Sequence, residues 1–443
     1  MPAQRPRRHR ADARPREQDI LLRGAAPRRD ALARRRLRRA IRTIARPSAI
    51  GLAGALALVG TALAELPPDK PAGAIRIAVF NAALNRSGAG VLLADIRERD
   101  PQVMAVAEIV LAARPDVLVV NELDRDGEGA ALDAFAGLLA DGAGGRPGLA
   151  YPHRVQPMSN TGRPSGLDGD GDGRVGGPAD AWGYGRFPGQ YALAVLSRLP
   201  LGEPRTWRLF PWSALPDAAR PVLPNGEPLH DDATWARLRL SSKTHLALPV
   251  EPPGGGGFTL VAAHPTPPVF DGAADRNGRR NADEIRLIAA ILDGADWLVD
   301  DEGRTGGLAP GEPFVVAGDL NADPADGEAR REGLSALLDH PRITDPRPAS
   351  RGAIAAAEAQ GGANAGHATP AERDTADFRD DPAPGNLRVD YLLPSTGFRV
   401  LGAGVVWPAP GTPGAGLVGR SGGEPVSSDH RLVWIDVAPS GEE

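Results

Sequence analysis

Six short segments of this 443-residue chain end or interrupt an apolar run with groups able to do chemistry. Asn81 closes Ile75-Arg76-Ile77-Ala78-Val79-Phe80, and Asn121-Glu122 closes Val117-Leu118-Val119-Val120. Gly318-Asp319-Leu320-Asn321-Ala322-Asp323-Pro324 follows Phe314–Ala317, and His264 closes the run that starts at Thr259. Asp390 is embedded in Leu387–Leu393, apolar apart from it and Arg388, and Ser428-Asp429-His430 stands beside Arg431–Val437. One carboxylate at a strand end is ordinarily a turn former or a helix cap. Several of them against buried strands need partners, and a cluster of hard oxygens is what Mg2+ or Ca2+ takes. Such a cation neutralises phosphoryl oxygens and makes water nucleophilic, and a carboxylate behind an imidazole favours a cationic proton donor.

The segments that carry these groups read as a mixture of strands and helices. Ile75–Phe80 alternates and is expected to be a strand ending at Asn81, and residues 102–113 a helix stopped by Pro115. Val117–Val120 is expected to be a buried strand. Further strands are expected at 192–197, 244–248, 258–262, 314–317, 387–393 and 431–437, with helices near 281–299 and 328–338. No Walker loop occurs and no GxGxxG directly follows an expected strand, so nucleotide-binding folds lose their main support. The 55 Gly and 44 Pro imply many loops, and two loop-rich insertions stand out at 141–190 and 345–386. The expected organisation is a lead over 1–64, a linker over 65–74 and one α/β domain over 75–439.

Taken in order, Asn81, Asn121-Glu122, GDLNADP at 318–324, RVDYLLPS at 388–395 and SSDHR at 427–431 resemble the endonuclease/exonuclease/phosphatase superfamily. The resemblance implies a four-layered α/β sandwich, two mostly antiparallel β-sheets flanked by helices, and cleavage of phosphoester bonds with a divalent metal. It implies Glu122 as the main ligand of Mg2+ (or Mn2+), with Asn81 beside it and Asp429 as a second metal-side carboxylate. Asp319 then orients or deprotonates the attacking water, and Asn321 holds a phosphoryl oxygen. His430, oriented by Asp390, donates to the phosphate or transfers a proton, and His264 also faces the phosphate. Ala83 stands where many members carry an acid two residues after the first Asn, which counts against a second metal position near Asn81.

Other segments read two ways. In LDGDGDGRV at 167–175, Asp168, Asp170 and Asp172 occupy positions one, three and five of an EF-hand-like loop, with Gly173 at six. Position twelve is Ala179, and Asp180 comes one residue later. The segment is either a structural Ca2+ loop or a solvated acidic turn. Arg276, Arg279 and Arg280 follow His264 and precede a helix in which Asn281 and Glu284 are spaced as a cap. These arginines either grip a second phosphate or a substrate carboxylate, or are surface charges ahead of the helix. The aromatic run Trp182–Phe187 either lines a pocket or packs locally.

No cysteine is present, which excludes disulfides, thiolate metal sites and a cysteine nucleophile. The net charge of −5 is unevenly divided. Residues 1–64 hold 16 Arg, no Lys and four acids, a net of +12, whereas the other 379 carry 35 basic and 52 acidic side chains, a net of −17. So acidic a body binds polyanions poorly on charge alone, and phosphate chemistry there requires a metal or a local basic pocket. An apolar stretch over 49–64 follows the arginine-rich lead and closes with Ala62-Leu63-Ala64, a small-x-small cleavage signature. As a helix it reaches about 24 Å, short of a hydrocarbon core of roughly 30 Å, so a cleaved signal peptide is expected rather than an anchor. Membrane contact is then expected only through an uncleaved N-terminal segment. The function expected is an exported metal-dependent phosphoesterase that needs no protein partner. Its phosphodiester or phosphomonoester substrate is a small molecule, a lipid headgroup or nucleic acid. The alternatives are an extracellular deoxyribonuclease-like nuclease and a calcium-stabilised, non-catalytic binding module of the same fold. The one GxSxG match, Gly419–Gly423, follows no expected strand and so makes no nucleophile elbow to support a serine hydrolase.

Overall fold

In the computed structural model, which describes residues 66–440 apart from Asp271, eleven strands form two sheets. The arginine-rich lead, the apolar segment and the cleavage signature lie outside the described residues. The first sheet has the order β10 (Phe398–Val405), β11 (Val433–Pro439), β1 (Ile75–Asn81), β2 (Val117–Asn121), β4 (Ala194–Ser197), β3 (His153–Val155). The second has the order β5 (Arg205–Thr206), β6 (Leu246–Val250), β7 (Phe258–Ala262), β8 (Phe314–Asp319), β9 (Asp390–Pro394). β1 with β2 and β7 with β8 are parallel, and every other neighbouring pair is antiparallel.

The two-residue period of the strands sorts their side chains into different apolar layers. Leu260 and Ala262 of β7, Val315 and Ala317 of β8, and Leu392 of β9 join the core shared with β1 and β2. The residues between them, Val261, Phe314, Val316, Tyr391 and Leu393, pack instead with Ile285, Ile288 and Leu292 of α5 (Arg276–Leu292) and Leu334 and Leu337 of α6 (Arg331–Leu338). Helices α1 (Val91–Glu98), α2 (Pro101–Ala113) and α3 (Ala130–Asp141) belong to the apolar cluster of the first sheet. The result is the expected sandwich, helices outside and two sheets between. Helix α7 (Arg351–Gln360) and the four-residue helices α4 (Asp232–Trp235) and α8 (Ala415–Val418) lie in the connections. Among the described residues no helix is long and apolar enough to cross a membrane.

The second helix follows its sequence signals closely. Asp100 accepts from the N–H groups of Gln102 and Val103, Pro101 sits at the first helical position, and the chain turns left-handed at Arg114. Other elements differ from expectation. The helix expected near 281–299 starts earlier, at Arg276, and ends at Leu292. The insertion 345–386, read as loop, contains α7, capped by Ser350 accepting from the Ala353 N–H at 3.1 Å. The glycine-containing edge strand β10 has too little apolar alternation to be read from sequence.

Arg76, the polar residue of the alternating β1 run, is itself buried, because β1 is covered on both faces. Its guanidinium donates to both oxygens of Asp436 on β11, at 2.7 and 2.8 Å, and to Ala113 O at 3.0 Å. It also lies 4.8 Å over the Trp434 ring. Removing one partner of such a pair leaves a buried charge uncompensated. Asp436→Ala is therefore expected to lower the unfolding free energy by about 3–5 kcal/mol, read from urea denaturation.

Candidate active site

The strand directions bring the polar groups to one edge of the sandwich. The parallel pair β1 and β2 ends there, with Asn81 in register with Asn121, and antiparallel β9 starts there, with Asp390 in register with Asp319. Gly318 makes the approach of β7 and β8 possible. A Cβ at that position would lie 2.0 Å from the Ala263 carbonyl oxygen, so only glycine allows Asp319 to stand beside His264. Just past the strand ends Ala83, Glu122 and Asn321 have φ of 47°, 61° and 52°. Left-handed backbone at residues other than glycine is unfavourable and gathers at functional sites, here re-aiming the chain next to each strand-end group.

Asp319 Oδ2 is the meeting point. Asn81 Nδ2 donates to it at 2.9 Å, His264 Nε2 lies 3.4 Å away and His430 Nε2 3.7 Å away. The other oxygen, Oδ1, accepts from the Asn321 N–H at 2.9 Å, and the Asp319 N–H donates to Asn121 Oδ1 at 3.1 Å. The carboxylate is thus fixed, while both imidazoles stand beyond good hydrogen-bond distance from it. Behind His430, Nδ1 is 2.9 Å from Asp390 Oδ2, and Thr375 Oγ1 donates to the same oxygen at 2.8 Å. Ser428 holds the segment to β1 through Asn81 O, at 2.7 Å, and the Phe378 ring meets the His430 ring edge-on at 5.4 Å.

The two histidines are driven to opposite charge states. Burial opposes a charge on His430, but Asp390 and Asp319 outweigh it and raise the imidazole well above its ordinary value. Burial, reinforced by Lys243, pushes His264 down to about 4, so it is neutral at neutral pH. Burial also works against the Asp319 carboxylate, yet His430, His264 and Asn81 hold it well below the usual carboxylate range. Environments that separate two like groups in this way define an acid and its partner.

Glu122 and Asp429 keep part of their surface open to solvent at the same edge. Asn85 Nδ2 donates to Glu122 Oε2 at 2.7 Å. Burial, reinforced by Asp429, pushes the Glu122 carboxyl up from 4.5 to about 7. Two repelling carboxylates are hard oxygen donors, and they fit a divalent cation such as Mg2+. A second group of metal-ligand type, Asp319, Asp390 and His430, has its ligand atoms within 4.8 Å of one another. There the ring nitrogens of His430 already face the two carboxylates. Because the raised pKa stabilises the protonated carboxyl, Glu122 contributes stability to the metal-free protein at low pH that is lost as pH rises through about 7. A divalent cation held there would need the ionised form, so an affinity for Mg2+ should fall roughly tenfold from pH 7.5 to 6, with proton release on binding. Calorimetry in buffers of different ionisation heat checks both.

Residues 78–430 match the model of the Endonuclease/Exonuclease/phosphatase family. The chain belongs to that family. Solved structures similar to this family member include an endonuclease/exonuclease/phosphatase from Beutenbergia cavernae DSM 12333, at 20% identity over 83% of this chain and 72% of that one, TM-score 0.45. The human Nocturnin catalytic domain with bound sulfate is similar at 14% identity over 83% of this chain and 94% of that one, TM-score 0.42. Sphingomyelinase C from Streptomyces griseocarneus is similar at 16% identity over 82% and 99%, TM-score 0.42. No curated protein sequence matches the chain. The family fold is that of a phosphoesterase- or nuclease-type hydrolase.

In this family member the arginines after His264 are engaged with main chain. Arg280 donates to the carbonyls of Leu240, Trp182 and Arg239 at 2.9, 2.7 and 2.9 Å, Arg279 to Ala274 O at 3.2 Å, and Arg276 to Gly169 O. The contacts with Trp182 and Gly169 tie the 141–190 insertion to α5. Asn281 and Glu284 do not cap the helix, which begins five residues before Asn281. Instead Asn281 Nδ2 donates to Thr266 O and Leu320 O at 2.8 and 2.9 Å, clamping the loops that follow His264 and Asp319. In the acidic loop, the carboxylates brought within 4.8 Å are Asp168, Asp170 and Asp180. Asp172 turns away to accept from the Arg174 N–H at 2.8 Å. Asp168 and Asp180 accept from N–H groups of the loop's own glycines, 2.7–2.9 Å away. Sequence reasoning missed Asn85, Thr375, Lys243 and the structural role of Asn121. No spacing rule marks them, since each comes from a different segment.

Proposed function

We propose that this chain is an exported, metal-dependent phosphoesterase that hydrolyses a phosphodiester or phosphomonoester by in-line attack of water. The observation that carries the reading is the convergence of Asn81, His264 and His430 on Asp319 Oδ2 beside the Glu122–Asp429 pair. Mg2+ (or Mn2+) held by Glu122, Asp429 and Asn81 supplies Lewis acidity at a phosphoryl oxygen when bound. Asp319, ionised at working pH, orients the attacking water and takes up its proton. Cationic His430, aligned by Asp390, donates to the phosphate or to the departing oxygen. Neutral His264 offers its Nε2–H from the other side. Asn321 Nδ2, on Pro265 O at a long 3.2 Å, is able to exchange that carbonyl for a phosphoryl oxygen.

Hydrolysis of bis-p-nitrophenyl phosphate, p-nitrophenyl phosphate and plasmid DNA by the full chain, each with Mg2+, Ca2+ or EDTA, tests the reading. EDTA-sensitive turnover of any one supports it and identifies the preferred ester, with DNA cleavage favouring the nuclease alternative. A folded protein silent on all three under every metal condition counts against it. Export rests on the apolar stretch ending in Ala62-Leu63-Ala64, and N-terminal sequencing of the protein recovered from outside the cytoplasm tests cleavage after Ala64.

A further inference from the structure

The chain contains 49 arginines and only two lysines, Lys70 and Lys243. Lys243 is buried, with 6% of its surface exposed. Its backbone is held from two sides. Asn160 donates to Lys243 O at 3.0 Å and to Ser241 O at 2.7 Å, and Glu284 Oε1 accepts from the N–H and Oγ of Ser242 at 2.6 and 2.9 Å. Gly183 of the long insertion packs so closely that a Cβ there would lie 1.8 Å from Ser242 O.

The ammonium is less well served than the backbone that carries it. Among the described residues its one hydrogen bond goes to Pro265 O, at 3.2 Å, and the same oxygen accepts from Asn321 Nδ2 at 3.2 Å. An ammonium has three donors, so two remain for a ligand. Glu284 accepts instead from Ser242 and Thr266 and makes no ion pair with the ammonium within 4.0 Å. The charged groups facing Lys243 are Glu284, Glu122, Asp319 and Arg280, and Lys243 in turn acts on Glu122 and His264. Burial lowers the Lys243 pKa from its ordinary value while Glu284, Glu122 and Asp319 favour its charge, so a lysine with spare donors stands at this edge, next to an amide able to meet a phosphoryl oxygen.

We propose that Lys243 is a further catalytic residue, whose ammonium contacts a phosphoryl oxygen of the substrate and supplies the second positive charge for which Ala83 provides no metal ligand. The proposal rests on the phosphoesterase reading. Charge grows on the non-bridging oxygens as water adds, and a fixed cation aimed at them stabilises that state without reorganising. No bond to lysine is made or broken. A structural lysine, serving only to offset Glu122 and Asp319, would leave phosphate binding unaltered when replaced.

The test compares wild type with Lys243→Gln and Lys243→Met, the latter keeping an unbranched apolar stem of similar length. Five quantities are measured: kcat and KM on bis-p-nitrophenyl phosphate with saturating Mg2+, affinity for inorganic phosphate, affinity for Mg2+, and Tm. Both variants should lose about 100-fold in kcat, the scale of one preorganised electrostatic group. Phosphate should bind at least about tenfold more weakly. Mg2+ should bind equally or more tightly, since a cation facing Glu122 has gone. Values of kcat and phosphate affinity within about twofold of wild type overturn the proposal, as does an equal loss of Mg2+ affinity. If wild type hydrolyses no phosphoester, the functional reading fails and the phosphate titration still decides Lys243. Wild type that binds no phosphate overturns both. Should neither variant fold, reductive methylation of wild type decides. Phosphate with Mg2+ should shield Lys243 and not Lys70, and equal labelling of Lys243 with and without phosphate overturns the proposal.

Discussion

Asp319→Asn should lower kcat by about 10³–10⁴-fold, with little change in KM, because it removes charge at the point where the site converges. The substitution is isosteric, and Asp319 is 1% exposed within a network of fixed donors, so the fold should persist. What changes is electrostatic. In the proposed mechanism the attacking water loses its anionic acceptor, and His430 loses one of the two carboxylates that raise it. The sign of the pH effect follows. A raised imidazole is the active, protonated acid until pH climbs through its pKa, so activity falls on the alkaline side. With Asp319 neutralised, that alkaline limb should move to lower pH. Profiles of kcat/KM against pH for wild type and variant read both effects, and a loss under tenfold with an unmoved limb would remove Asp319 from the chemistry.

Glu122→Gln should reduce Mg2+-dependent hydrolysis by at least about 10³-fold if the proposed function holds, since the carboxylate proposed as the main ligand becomes a neutral amide. Mg2+ affinity should fall in parallel, which distinguishes this variant from Asp319→Asn. The same change separates an enzyme from a metal-independent binding module, which would keep its ligand affinity. A second readout has the opposite sign. Burial and Asp429 push the Glu122 carboxyl up to about 7, so above that pH its charge destabilises the metal-free fold. At pH 8 without metal the variant should therefore melt at the same temperature as wild type or higher. A lower Tm there would mean that the carboxylate is satisfied by protein groups and has no need of a cation.

These expectations rest on a site whose members were largely visible as residue types at strand ends. The apolar runs ending at Asn81, Asn121 and Asp319 are strands, and their groups do converge. That much is legible because burial on both faces produces continuous apolar runs, and a polar residue closing such a run is conspicuous. The family order of GDLNADP and SSDHR added the connectivity that spacing could not. The positioning network was not legible. Thr375 lies in a segment that reads as loop, yet its hydroxyl fixes Asp390. The arginines after His264 read as anion-binding candidates, whereas packing spends Arg280 on three carbonyls.

The sequence by itself determined which groups are available, the order of the strands that carry them and the chemistry that carboxylates and imidazoles at strand ends can perform. Only the tertiary structure decided how they are used. It assigned His430 the cationic role and His264 the neutral one, although both are histidines beside apolar strands, because two carboxylates face the first while burial and Lys243 act on the second. It chose Asp180 over Asp172 in the acidic loop, and turned Asn281 and Glu284 from helix caps into clamps. Composition and spacing along the chain record what a residue is. Its charge state and partners depend on distances to residues up to a few hundred positions away, and those distances exist only once the sheets have packed.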